Sequence, residues 1–281
     1  MGGEIVVADP FQRYRGLEIA ADSPRPRERA EVRYHLVGDL DLHQTSSAGE
    51  FARLAHAAID DILERARLPI VTGGTGLYLR AALADLNFPD PVPPEVRSRV
   101  EAMVEDDLGR AVNRLRELDA AVADRIDVAN PRRVVRALEL AEAGHVAREA
   151  PGLWAERTRL PTLMVGLDRP REVLDALIAW RVRRELDDGL ADEIAAAMDR
   201  PAGVSREAAQ IIGVREIQAV RSGDLRPEQL ESALAARTRR LARRQRTWLR
   251  KTPGISWLEA GDRAVEALLP EFAYVVEGRN L

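Results

Sequence analysis

The 281-residue sequence contains no cysteine and a single lysine, Lys251. Without cysteine there are no disulfides, no thiolate metal sites and no thiol nucleophile, which suits a reducing compartment. With one lysine, and no glycines spaced before it, the sequence holds no GxxxxGK[ST] phosphate-binding loop. Aromatic residues make up 4%, too few for an all-β sandwich rich in Tyr and Trp. No apolar run reaches the length of a membrane-spanning helix. The first residues lack the basic region and apolar core of a signal peptide. Val6 stands where the myristoylation pattern needs Ser or Thr. A cytoplasmic protein with no membrane partner is expected.

Hydrophobic residues make up 46% and charged residues 31%, the balance of a globular chain that can bury one large core or two smaller ones. The net charge of −4 argues against a nucleic-acid partner, but its distribution does not. RTRRLARRQRTWLRK, from Arg237 to Lys251, carries eight basic residues and no acidic one, so the chain carries −12 outside this segment. Arginine, the near-exclusive basic residue here, suits bidentate phosphate contacts.

EIVVAD, ending on Asp9, and LPIVTGG, at 68–74, read as buried strands, and TLMVGLD, at 162–168, fits equally well. A helical pattern follows each, which predicts a parallel sheet flanked by helices. The four prolines of NFPDPVPPEV make a stiff connector. Beyond them Val96, Val100, Met103, Val104, Leu108, Val112 and Leu115 recur at helical spacing. The expected organisation is an α/β core of residues 1–93 and 161–281 interrupted by an all-helical domain, 94–160. Residues 170–199 read as one long amphipathic helix.

Gly73 and Gly74 end a strand, and Thr75 stands where a helix begins. Such a turn aims free N–H groups and the helix dipole at a phosphate; equally, it is a plain turn with Thr75 as N-cap. Asp9 is a candidate general base or magnesium ligand, or the cap of the turn that Pro10 initiates. His35, His43, His56 and His145 are too scattered for a recognisable metal site. Arg132 and Arg136 share a helix face in NPRRVVRALEL, either solvated or set for phosphate. Trp248 could stack on a base, though a core anchor is the commoner role. Gly213, inside a helical pattern, suggests close approach of something.

In order, DPFQRYRGLEI, YHLVGD, GGTGLYLRAAL, NPRRVVRALEL, QIIGVRE and RTRRLARRQRTWLR resemble the motifs of the tRNA dimethylallyltransferases, from about residue 4 to about residue 259. The resemblance implies a P-loop-NTPase-like α/β core with a helical insertion that grips the tRNA anticodon arm. It implies transfer of a dimethylallyl group from dimethylallyl diphosphate to N6 of the adenosine 3′-adjacent to the anticodon. That base would be extruded from its stack, and magnesium and cationic donors would meet the leaving pyrophosphate. By matching position Asp9 is the general base. Pro10, Phe11 and Gln12 help hold the adenine. Thr75, implied to be catalytic alongside Asp9, and Arg97 match tRNA-contacting positions. So do Arg132, Arg133, Val134, Val135 and Arg136, and Gln210, Ile211, Ile212, Gly213, Val214 and Arg215. Gly73, Gly74, Thr75 and Arg181 fall near the diphosphate. The working unit is expected to be a monomer.

The family's Walker-type loop precedes the strand that carries the base, so the first strand, P-loop and first helix, roughly 25–30 residues, are expected to be missing from the N-terminus. The family's Asp-Ser pair is Asp9-Pro10 here, GTAKP appears as AADSP (20–24), and NDxRR as NPRR. A non-catalytic tRNA-binding homologue and an adenylate isopentenyltransferase acting on free nucleotide are the alternatives. The arginine-rich tail and the helical insertion favour tRNA.

Overall fold

The structure is a computed structural model that describes residues 2–89, 91–145 and 157–277. The β-branched run Ile5-Val6-Val7 forms β1 (Gly3–Val7), the middle strand of a parallel sheet ordered β2-β1-β3. After α1 (Pro26–Glu31), β2 (Tyr34–His35) pairs one side of β1, Ile5 opposite Tyr34. β3 (Leu68–Thr72) pairs the other side, from Gly3 opposite Leu68 to Val7 opposite Thr72.

Between β2 and β3 runs α2 (Ala48–Glu64), capped by the Ser47 side chain, which accepts from the Glu50 amide at 3.0 Å. It buries Phe51, Ala55, Ile59 and Ile62, one face at helical spacing. Its end is a left-handed Ala66 (φ +53°), with the Arg67 amide donating to the Ile62 carbonyl and the Ala66 amide to Leu63. Those two bonds satisfy carbonyls the helix leaves free.

α3 (Gly76–Leu83) follows β3. Next come α4 (Pro94–Asp106), α5 (Leu108–Arg125) and α6 (Pro131–Glu142). The chain divides into two compact units, Met1–Leu86 with Leu153–Leu281, and Asn87–Gly152. The second unit has its own core of Val100, Val104, Val112, Leu115, Val134 and Leu138. The expected helical stretch 94–160 includes residues 146–156, which lie outside the described residues.

Returning to the first unit, β4 (Met164–Asp168) leads into α7 (Arg171–Asp187) and α8 (Leu190–Met198). The single helix expected over 170–199 is therefore two. The break is Gly189, whose φ of +97° no continuing helix allows. α9 (Val214–Ser222), α10 (Leu230–Leu249), β5 (Ile255–Glu259) and α11 (Leu269–Glu277) complete the chain. Ile178, Val182, Leu190, Ile194, Ile211 and Leu234 join Tyr14 and Leu17 in the main core of this unit.

Two expectations about the strands need correction. β4 does not pair with the first sheet but with β5, in parallel, Gly166 opposite Trp257. The absence of a side chain on Gly166 makes room for that indole: a Cβ there would stand 2.7 Å from its ring carbons. Nor are the strands after β1 buried throughout. Leu68 and Ile70 are 47% and 40% exposed, and Leu167 is 56% exposed. Among the described residues the outer edge of β3 has no partner strand.

Candidate active site

Because Val7 faces Thr72, the chain leaving β1 and the turn leaving β3 emerge side by side at the C-terminal edge of one sheet. Edges of this kind hold ligands in open α/β folds. The Ala8 amide extends the ladder, donating to the Thr72 carbonyl at 2.7 Å. Gly73 is glycine because a Cβ would strike the Ala8 carbonyl.

Asp9 comes next. Its Oδ1 accepts the Phe11 amide at 2.8 Å, so the carboxylate does cap the turn begun by Pro10. Burial raises its pKa above the ordinary 3.8, while the Phe11 and Gln12 amides and the positive charge of Arg181 pull it partway back. A half-buried carboxylate with raised proton affinity, in electrostatic reach of a guanidinium, is equipped to accept a proton. The Gln12 side-chain amide donates to the carbonyls of Ala21 (3.3 Å) and Asp22 (3.0 Å).

Across the edge, Thr75 occupies the N-cap position of α3 without a side-chain capping bond, so its hydroxyl is not used in holding the helix. A Cβ on Gly74 would collide with the Gln245 side chain, and one on Gly76 with the Trp248 indole. The glycines of GGTG thus let α10 lie directly on the turn, and Trp248 anchors that helix. Along α10, and reaching Trp248, a cavity of about 460 Å³ is lined by Arg240, Arg243, Arg244, Thr247, Trp248 and Lys251, none of them acidic.

A second cavity, about 510 Å³, opens beside Gln12. Ser23, Arg25, Trp180, Arg181 and Arg184 are among the residues that wall it. Arg181 sits on α7, its Nε 2.6 Å from Glu185 and its Nη1 3.0 Å from Asp22. Sequence reasoning reached Arg181 and Gln12 but not Asp22, Trp180 or Arg184. The one available signal was the spacing of Trp180 and Arg184, four apart on one helix face.

The remaining residues tied to tRNA by resemblance are distributed as follows. Arg97, Arg132, Arg133 and Arg136 are exposed on the helical unit. Arg97 pairs with Glu101 at 3.1 Å and Arg136 with Glu139 at 2.5 Å. Val134 is fully buried in that unit's core, and Val135 packs against it. In the first unit Arg215 is exposed, Gln210 and Ile212 are half-buried, and Ile211 and Val214 lie in the core. Gly213 has φ +108°, and a Cβ there would meet Ile194 Cδ1 at 2.6 Å, which identifies the close neighbour expected from the sequence. Among the described residues no three His, Asp or Glu side chains cluster so as to hold a metal. The donors among the described residues do not make a protein-built magnesium cage.

A parallel sheet flanked by helices, carrying a carboxylate and a glycine turn at its strand tips and interrupted by a helical unit, defines a P-loop-NTPase-like α/β protein. Comparison narrows the class. The IPP transferase family matches residues 12–252. The chain is 39% identical to the tRNA dimethylallyltransferase of Kineococcus radiotolerans over 262 residues, 92% of this chain and 82% of the relative. It is 37% identical to that of Thermobifida fusca, over 99% and 86%. Among solved structures, the tRNA isopentenylpyrophosphate transferase of Bacillus halodurans superposes with TM-score 0.70 at 30% identity, covering 98% of this chain and 88% of that one. The chain belongs to the IPP transferase family.

Proposed function

We propose that this protein prenylates tRNA, moving a dimethylallyl group from dimethylallyl diphosphate to N6 of the adenosine 3′ to the anticodon. Asp9 is the observation that carries the reading: a carboxylate of raised pKa at the tip of the strand that pairs with β3, within the field of Arg181. N6 attacks the donor's first carbon, the new C–N bond forms as the C–O bond breaks, pyrophosphate departs, and Asp9 takes the N6 proton. Arg181 opposes the charge gathering on the leaving group. Pro10, Phe11 and Gln12 border the extruded base, and Gly73, Gly74 and Thr75 adjoin the donor. Arg97, Arg132, Arg133, Arg136 and Arg215 meet the phosphates of the anticodon stem-loop. Val134 and Val135 in α6, and Gln210, Ile211, Ile212, Gly213 and Val214, belong to the same proposed tRNA-facing segments as Arg132, Arg133, Arg136 and Arg215. Magnesium is proposed to arrive with the diphosphate. One copy suffices, since these groups come from one chain. The cysteine-free composition supports a cytoplasmic site of action.

Asp9→Ala is expected to cut turnover by roughly 10²–10⁴ while anticodon-stem RNA still binds. Turnover at the wild-type rate would remove Asp9 from the chemistry. The acid limb of kcat/KM should lie above 3.8, and Arg181→Gln should push it higher, because the guanidinium favours the ionised form. An unmoved limb would separate the two residues. One observation favours a second reading, a non-catalytic RNA binder: Arg181 already holds the carboxylate of Asp22. RNA binding without prenyl transfer would select it.

A further inference from the structure

Asp22 lies in a turn that forces it into the left-handed region, φ +48°, which aspartate tolerates better than most side chains. The turn is fastened by the Asp22 amide to the Ile19 carbonyl (3.1 Å) and the Ser23 amide to Glu18 (2.9 Å). It delivers the carboxylate between two guanidinium groups one helical turn apart on α7. Oδ2 stands 3.0 Å from Arg181 Nη1, and Oδ1 stands 3.4 Å from Arg184 Nη2. One anionic group bridging two guanidiniums is also how a phosphoryl group is received.

The surroundings are unfinished for a purely structural pair. The cavity of about 510 Å³ opens directly onto it. Two of its polar atoms, Ser23 Oγ and Arg184 Nε, are buried with no hydrogen-bond partner among the described residues. Such atoms are rare unless something else satisfies them. Trp180 is 57% exposed, and its ring lies 5.0 Å from the Arg184 guanidinium carbon, so the arginine is braced by a π face as well as by Asp22. Buried Glu185 pairs with Arg181, and Asp188 pairs with Arg25, which orients those two guanidiniums.

We propose that Asp22 is an internal competitor: its carboxylate fills the Arg181–Arg184 pair and must leave before that pair can receive a phosphoryl group of the diphosphate. The proposal rests on the reading of Arg181 given above and adds a residue that sets affinity for the diphosphate. Release frees Arg181 Nη1 and Arg184 Nη2 while Arg181 Nε stays with Glu185, and Ser23 Oγ and Arg184 Nε then have an acceptor. The displaced carboxylate moves into the open cavity, where water solvates it.

The test is titration of inorganic pyrophosphate into the wild-type chain, Asp22→Asn and Asp22→Ala, followed by calorimetry, with melting temperature as a check on folding. Removing a unit negative charge some 3–4 Å from the incoming anion should tighten binding roughly tenfold or more. The gain should vanish when Arg181→Gln is added. Unchanged or weaker binding by both Asp22 variants overturns the proposal, as does absence of measurable binding in all three, or a gain that survives loss of Arg181. The two readings fail separately. Tighter pyrophosphate binding without any prenyl transfer would leave the competitor standing and overturn the enzyme.

Discussion

Glu4 enters the fold from the end of β1 opposite Asp9, and its side chain is 1% exposed. A carboxylate so placed needs partners, and three guanidiniums and an imidazole supply them. His35 Nε2 stands 2.7 Å away, Arg67 Nη1 3.3 Å, Arg33 Nε 3.9 Å, and Arg65 bonds both oxygens. Hydrogen bonds from Arg65, then His35, pull its pKa from the ordinary 4.5 to about 2. The folded protein therefore binds fewer protons than the unfolded chain between those values. The resulting stability is present above pH 4.5 and is lost as pH falls toward 2. Glu4→Gln should lower the melting temperature at neutral pH, with the deficit closing over that window; a deficit unchanged at pH 2 would contradict this. From the sequence, Asp9 could be singled out because strand ends are local features. The Glu4 cluster and the Asp22–Arg181 pair could not, since their partners meet only once distant segments have folded together.

Among the elements, α10 lies directly on the turn before α3. Gly76 has no space for a methyl group beneath Trp248, so Gly76→Ala should cost about 1–3 kcal/mol through overpacking. Trp248→Leu, by shortening the obstacle, should recover part of that cost. Thermal melts of the two single variants and the double would measure the coupling, and strict additivity would deny the contact. Strand–helix alternation makes β1, β3 and α3 legible in the sequence, and proline spacing marks the start of α4. The split between α7 and α8 was hidden because Asp188-Gly189 interrupts an apolar pattern that continues in phase. β5 is not legible in the sequence because Ser256 interrupts the apolar run of Ile255–Glu259, and its pairing with β4 places Trp257 over Gly166, a fact of packing rather than of periodicity.

For the molecule as a whole, the separation of charge matters more than its sum. With Arg240, Arg243, Arg244 and Lys251 around one acid-free cavity, RNA binding should weaken steeply with salt. Replacing Arg243 and Arg244 together by Ala should reduce the slope of log K against log salt by about 1 to 2. Fluorescence anisotropy with an anticodon stem-loop at several salt concentrations would show it, and an unaltered slope would move the RNA elsewhere. This polarity, like the α/β core with its helical unit, could be read directly from residue order. The pairing of β4 away from the first sheet could not.

α10 faces two ways. Its solvent side offers guanidiniums, while its inner side props the Gly74–Gly76 bend through Gln245 and Trp248. Capture and chemistry therefore share one beam. An alteration that shifts this helix to improve a grip on a polyanion also tilts the support under Thr75 and its flanking glycines, so the arginine face and the strand-tip turn are not free to be tuned apart.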